Sequence, residues 1–237
     1  MPDMTRLSVV MPVFNEKDTL AQCVRRVLAV QLPLDKELIL IDDASDDGSD
    51  KVIEDICRQH VSMPIKVLTH KHNQGKGASL RDGFAVVTGN IIIVQDADLE
   101  YNPDDYPALL KPILDGRADV VYGSRFVGSQ EKRVLYFWHY IGNKVVTTMS
   151  NIFTNLNLTD METCYKLFRR EVIERIQIKS ERFGVEPEIT AKIAKAHWRI
   201  YEVGISYSGR TYEEGKKITW KDGLKALMTI IRFRFFD

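Results

Sequence analysis

Ile91-Ile-Ile-Val94 runs straight into Gln95-Asp-Ala-Asp-Leu-Glu100. Four consecutive β-branched residues, with no polar residue alternating among them, read as a strand buried on both faces. That is the pattern of a parallel sheet covered by helices. The run ends in acid, and alternation at a strand end predicts that Asp96, Asp98 and Glu100 aim one way, into the crevice beyond its carboxyl end. Converging carboxylates repel one another unless a cation sits among them. Hard oxygen ligands of this kind suit Mg²⁺ or Mn²⁺ bridging to a substrate phosphate. A solvated acidic turn before Asn102-Pro103 is the alternative that the stretch alone leaves open.

Strands and helices alternate ahead of that run. Leu7–Val13 is apolar except for Ser8 and reads as a strand. Leu20, Val24, Val27 and Leu28 recur at helical spacing, with Asp18 as a candidate N-cap and Pro33 as the stop. Glu37–Ile41 is a second strand. Asp42–Gly48 is a turn whose side chains bond back to their own backbone. Ser49 caps a helix carrying Val52, Ile53 and Ile56, and Ile65–Leu68 is a third strand. Asn73–Gly77 is a glycine loop opening a helix through Ala78, Leu80 and Phe84. This alternation predicts an α/β fold, with a doubly wound, Rossmann-like, mostly parallel central sheet flanked by helices. Further on, the pattern predicts strands at 119–122 and 200–205, an amphipathic helix within 134–158, and helices at 172–176, 189–196 and 222–233.

Composition narrows the function. The 33 basic and 33 acidic residues cancel, so no overall field favours nucleic acid. Cys23, Cys57 and Cys164 are widely spaced and include no CxxC pair, so neither a disulfide framework nor a zinc site is expected, and a cytoplasmic setting fits. The chain's 237 residues, 44% hydrophobic, suit one domain. No signal-peptide layout opens the chain, and no uncharged apolar stretch of about 18 residues predicts a membrane span. Asn73-Gln-Gly-Lys-Gly-Ala-Ser79 is neither GxGxxG nor a Walker A loop, which argues against a dehydrogenase or P-loop NTPase. Its helix N-terminus is nevertheless a candidate phosphate approach. His70 and His72 lack a third ligand nearby in sequence and read as surface histidines. Glu186 and Glu188 read as structural.

Pro12-Val-Phe-Asn-Glu16, Ile41-Asp-Asp-Ala-Ser-Asp-Asp-Gly48, Asn73-Gln-Gly-Lys-Gly77 and Asp96-Ala-Asp98 follow one another, each at a strand end. As a set they resemble the family 2 glycosyltransferases, and more narrowly the polyprenyl-phosphate sugar synthases of the dolichyl-phosphate mannose synthase type. The N-terminal resemblance covers residues 7–126. It implies an A-type glycosyltransferase fold and an inverting, metal-dependent transfer from a UDP- or GDP-sugar. One domain over 1–237 would divide into a nucleotide-sugar half (7–126), an acceptor-side half (127–219) and an amphipathic C-terminal helix (220–237).

Carried onto this sequence, the resemblance implies that Pro12, Phe14 and Glu16 line the nucleoside pocket, with Asp42 or Asp43 contacting base or ribose and Lys76 nearby. Asp96 and Asp98 match the DxD metal motif, with Glu100 where mannose synthases often carry Gln. Arg125, in Gly123-Ser-Arg-Phe126, matches the acceptor-phosphate arginine. A second anchoring cation aligns near Leu135, leaving Arg133 or His139 as substitutes. Arg210-Thr-Tyr-Glu-Glu-Gly-Lys-Lys-Ile218 resembles the family's diphosphate-clamping loop, which makes Arg210, Lys216 and Lys217 candidates. Thr159–Arg170 falls where the family carries an acceptor-side acidic motif, here Asp160 and Glu162.

A divalent cation offsets charge on a departing diphosphate. An acceptor phosphate is already ionised and needs no base, whereas a glycan hydroxyl would require Asp160 or Glu162 to act as one. A non-catalytic nucleotide-sugar sensor is a further alternative, but it has no need of Arg125 and Arg210. Trp220, Leu224, Leu227, Met228 and Ile231 fall at helical spacing near Lys221, Lys225, Arg232, Arg234 and Phe233, Phe235 and Phe236. This stripe predicts either peripheral contact with an anionic membrane or packing on the core or on a second copy.

Overall fold

A computed structural model describes residues 5–128, 131–134, 136–182, 184–211, 213 and 220–236, with the backbone alone at 220–222 and 224. Its centre is a seven-stranded sheet in the order β3-β2-β1-β4-β6-β5-β7. β1 (Arg6–Val13) pairs in parallel with β2 (Asp35–Asp42) on one side and β4 (Ile91–Val94) on the other. β3 (Ile65–Thr69) extends the sheet beyond β2. Every residue of β4 is buried, as expected of an unbroken β-branched run. Pro12 is tolerated in this central strand because it lies past Val10, the last residue of β1 paired with β4.

The helices α1 (Leu20–Ala29), α2 (Ser49–Gln59) and α3 (Lys76–Val86) connect these strands. α1 turns Leu20, Cys23, Val24 and Val27 into the core. Thr19, not Asp18, precedes its first turn, and its hydroxyl bonds the backbone and side chain of Glu16. The chain runs outward from β1 through β2 to β3, then returns to β4 on the far side of β1. That reversal opens a crevice at the strands' carboxyl ends, between β1 and β4, and Glu16 and the acidic run lie there.

The other half differs from the expected pattern in one strand. α4 (Tyr106–Leu114) leads to β5 (Val120–Ser124), and β7 (Ile200–Gly204) pairs in parallel with it. Between β4 and β5 lies β6 (Lys166–Arg169), antiparallel to both. Lys-Leu-Phe-Arg is four residues long, has no β-branched member and is flanked by charge, so it carries no strand signal of its own. α5 (Phe137–Thr154), α6 (Arg170–Arg175), α7 (Val185–Lys195) and α8 (Trp220–Phe235) complete the described elements.

α8 buries a face beside the predicted apolar stripe: Ala226, Ile230 and Phe233 are buried, at i, i+4 and i+7, while Leu227 of the stripe is half-buried against the core, and α8 packs on α5 and α7. Met228, Ile231, Phe235 and Phe236 remain exposed. The side chains of Trp220, Lys221 and Leu224 lie outside the described residues.

Candidate active site

The acidic run is a turn, not a continued strand. β4 ends at Val94, and the next side chain, Gln95, is fully buried, accepting the hydroxyls of Tyr106 at 2.6 Å and Tyr165 at 2.8 Å. Leu99 then adopts a left-handed conformation, φ 63°, uncommon for a residue with a side chain. Asp98 Oδ1 holds the turn by accepting the Glu100 amide at 3.1 Å. The predicted alternation therefore does not operate.

The three acids part onto two cations. Lys76 Nζ lies 2.9 Å from Asp96 Oδ1. Arg210 reaches Asp98 Oδ2 at 3.1 Å, Glu100 Oε1 at 3.3 Å and Glu16 Oε2 at 3.2 Å. Tyr207 donates its hydroxyl to Glu100 Oε2 at 2.6 Å. Among the described residues no group of three or more His, Cys, Asp or Glu side chains is arranged to hold a metal ion. Asp98 and Glu100 therefore meet on Arg210 while Asp96 turns to Lys76, so the acids gather around basic side chains through a turn and not through strand alternation.

The donor chemistry nonetheless fits a hard divalent cation. All three groups are carboxylates, and the cluster carries more negative charge than its two cations offset. Burial first, then the neighbouring charges of Asp96 and Glu100, push the Asp98 carboxyl up to about 7 despite Arg210. A cation among these oxygens would relieve that repulsion.

On the nucleoside side, Phe14 stands 38% exposed at the rim, and Pro12 leads into it from β1. Asp42 is buried and accepts the Ser45 amide at 3.0 Å. Asp43 is engaged with the glycine loop: its oxygens accept the amides of Gln74 at 2.8 Å and Gly75 at 2.7 Å. His70 is no surface residue. Its ring lies between Asp43 at 2.7 Å and Asp82 at 3.2 Å, and its side chain is 7% exposed.

The glycines of that loop serve a backbone, not the expected phosphate approach. A Cβ on Gly77 would lie 2.0 Å from the Ser180 carbonyl oxygen, and one on Gly75 2.6 Å from that of Glu181. The Ala78 amide donates to the Glu181 carbonyl at 3.1 Å. The start of α3 is thus closed by the segment before α7.

On the other side, Arg125 forms a two-pronged pair with the fully buried Asp160, Nε to Oδ2 at 2.6 Å and Nη2 to Oδ1 at 2.7 Å. Burial opposes ionisation of Asp160, but Arg125 outweighs it and holds the carboxyl below its ordinary value. Glu162, two residues on, behaves oppositely. Burial and the nearby charge of Glu186 push it up to about 8, and its buried Oε1 has no hydrogen-bond partner. Arg125 also lies over the Tyr207 ring, 5.2 Å from its centre. Tyr207, Arg133 and Glu100 border a cavity of about 520 Å³. His139 lines no part of that cavity and lies against the Tyr136 ring. Lys216 and Lys217 fall outside the described residues, as does Leu135.

Sequence reading missed three groups at this site. Lys166 is buried, bonds the Thr163 carbonyl and lies 4.9 Å from the Tyr122 ring centre. Lys144 donates to the Thr159 carbonyl at 3.2 Å. Glu186 pairs with Lys76 at 3.1 Å. Glu188, by contrast, is structural as expected, accepting the amides of Lys179 and Ser180 at 2.7 and 2.6 Å.

A family model described as glycosyl transferase family 2 matches residues 8–177. The chain belongs to glycosyl transferase family 2. Among its curated relatives, the undecaprenyl-phosphate 4-deoxy-4-formamido-L-arabinose transferase of Aeromonas hydrophila is 30% identical over 216 residues, 90% of this chain and 63% of the relative. The transferase of the same description from Photorhabdus laumondii is 29% identical over 213 residues, 89% of this chain and 62% of the relative. The chain thus spans under two thirds of these relatives' length. Glucosyl-3-phosphoglycerate synthase of Mycobacterium tuberculosis, solved with Mn²⁺, UDP-glucose and phosphoglyceric acid, superposes with a TM-score of 0.73 at 18% identity. That match covers 98% of this chain and 80% of the synthase. The fold is therefore that of the A-type glycosyltransferases.

Among the described residues no helix is long and apolar enough to cross a membrane.

Proposed function

We propose that this family 2 chain is an inverting glycosyltransferase that moves a sugar from a UDP- or GDP-sugar to a polyprenyl phosphate. The observation that carries this reading is Arg125, an arginine held in place on the acceptor side by a two-pronged pair with buried Asp160 and so prepared to meet an anionic acceptor. Asp160 is a weak base, locked onto Arg125. Glu162 is pushed up to about 8 by burial and the nearby charge of Glu186. A hydroxyl acceptor would need one of them to take its proton, and Asp160 is engaged through both oxygens by Arg125. A phosphate acceptor arrives ionised and asks for no such step. The curated relatives' description as undecaprenyl-phosphate transferases supports the same class of acceptor.

In this reading 7–126 binds the donor and 127–219 the acceptor. Pro12 and Phe14 wall the nucleoside, and Asp42 is the better placed of the two candidate aspartates, since both Asp43 oxygens are engaged. Asp96, Asp98 and Glu100 would hold Mg²⁺ or Mn²⁺, which when bound offsets charge on the leaving diphosphate. Arg210 then exchanges carboxylate for diphosphate, with Lys216 and Lys217 following it in sequence. Arg125, oriented by Asp160, meets the acceptor phosphate, with Arg133 across Tyr207 as its companion. Exposed Met228, Ile231, Phe235 and Phe236 beside Arg232 and Arg234 suit peripheral contact with an anionic membrane.

Labelled UDP- and GDP-sugars supplied with polyprenyl phosphate, and in parallel with unphosphorylated polyprenol, test the proposal. Lipid-linked sugar should form with the phosphate alone. Equal transfer to polyprenol, or transfer only to a glycan, would defeat it.

A further inference from the structure

Lys76 is the second cation of the acidic cluster, and its surroundings differ from those of Arg210. Its ammonium lies between two carboxylates from different elements, Asp96 Oδ1 after β4 at 2.9 Å and Glu186 Oε1 at 3.1 Å. The Lys76 side chain is 19% exposed and that of Glu186 10%. Glu186 belongs to the first turn of α7. Lys76 opens α3, and the close approach of Gly75 and Gly77 to residues 180–182 brings these two helix starts together. A buried ammonium shared by two carboxylates can be drawn towards either with little movement, because the other partner keeps it from being left unpaired.

We propose that Glu186 is a positioning residue that competes with Asp96 for Lys76, and so sets how readily Asp96 can accept a divalent cation. This rests on the metal-assisted reading above and adds to it a residue on the acceptor-side half. With Glu186 present, Lys76 can withdraw from Asp96 onto a carboxylate already at bonding distance. With Glu186 neutralised, Asp96 becomes the ammonium's single anionic partner, and a cation must displace Lys76 from it. Partners one step removed from a metal ligand commonly change metal affinity by roughly 10–100-fold when altered. Glu186 also places a negative charge near Glu162, which ties the donor and acceptor sides together.

The test is Mn²⁺ binding to the full chain, followed by loss of the free-ion electron paramagnetic resonance signal, with Mn²⁺ alone and with UDP or GDP added. Glu186→Gln should weaken binding by roughly 10–100-fold. Lys76→Met should bind Mn²⁺ at least as tightly as the wild type. The double variant Lys76→Met/Glu186→Gln, which leaves neither buried charge without its partner, should match Lys76→Met. Unchanged binding by a folded Glu186→Gln chain would overturn the proposal. So would a loss that persists undiminished in the Lys76→Met background, because Glu186 would then act by another route. If Glu186→Gln does not fold, weaker binding by Lys76→Met or by the double variant overturns it equally. A wild-type chain that binds no Mn²⁺ under any of these conditions defeats the metal reading itself, and the proposal with it.

Discussion

The turn after β2 and the turn after β4 look alike as strings of aspartates, yet the molecule treats them differently. After β2, backbone amides hold the carboxylates. Asp43 accepts Gln74 and Gly75, and Asp47 accepts Lys17 at 3.0 Å and Ser49 at 2.9 Å. After β4, side-chain cations join the backbone amides, Lys76 on Asp96 and Arg210 on Asp98 and Glu100. An amide-held carboxylate cannot change partners without unfolding its loop. A carboxylate held by lysine or arginine exchanges partners by rotamer movement, as binding and releasing a charged substrate requires. The first turn is fixed by its amides, while the cations on the second leave its acids freer to change partners.

The largest effect should separate the two turns by kind. Asp98→Ala is expected to lower the transfer rate by ~100-fold or more, as for losing one main electrostatic contributor. Its unfolding midpoint in denaturant should stay close to the wild type, because relief of burial and of repulsion from Asp96 and Glu100 offsets the lost bonds to the Glu100 amide and Arg210. A rate near normal would remove the cation from the mechanism, and a large stability loss would make this turn as fixed as the first.

Asp43→Ala should do the reverse. It strips the acceptor from two loop amides and from His70, at a cost of about 2–3 kcal/mol in unfolding free energy. Chemical denaturation reads that directly, and an unchanged midpoint would break the contrast between the turns.

A smaller effect follows from pH at the opposite end of β2. Burial disfavours the Glu37 carboxylate, but hydrogen bonds from Ser8, Thr88 and Gly89 outweigh it and hold its pKa down to about 2, against an ordinary 4.5. A depressed folded value means that its stabilisation is fully present above 4.5 and is lost as pH falls towards 2. Urea titrations across that window should show stability declining, and Glu37→Gln should flatten the decline. An unchanged slope in that variant would show that the amides do not favour the charged form.

How far the sequence shows this contrast depends on the length of each signal. β4 and the helices that bury one apolar face are visible in it, since periodicity over several residues reports burial directly. The motif order also locates the crevice, because each motif ends a strand on the same side of the sheet. β6 escapes, since Lys166–Arg169 becomes a strand only through β4 and β5 on either side. Gly75 and Gly77 mislead because glycine marks a close approach without saying whether phosphate or carbonyl approaches. Glu186 reads as an ordinary acid in a helix's first turn. Only the docking of residues 180–182, just before α7, onto α3's start gives it Lys76 as a partner.

Asp160 and Glu162 carry the same comparison to the acceptor side, one carboxylate held on an arginine and the other buried with an oxygen that has no hydrogen-bond partner. The central claim is that transfer needs no base because the acceptor is already a phosphate, and Glu162→Gln tests it most directly. Glutamine keeps the shape and neutrality of the protonated acid while abolishing any capacity to take a proton. With polyprenyl phosphate as acceptor, kcat for this variant should stay within a few-fold of the wild type. A loss of ~100-fold or more, the contribution expected of a general base, would contradict the account and return the acceptor to the hydroxyl class.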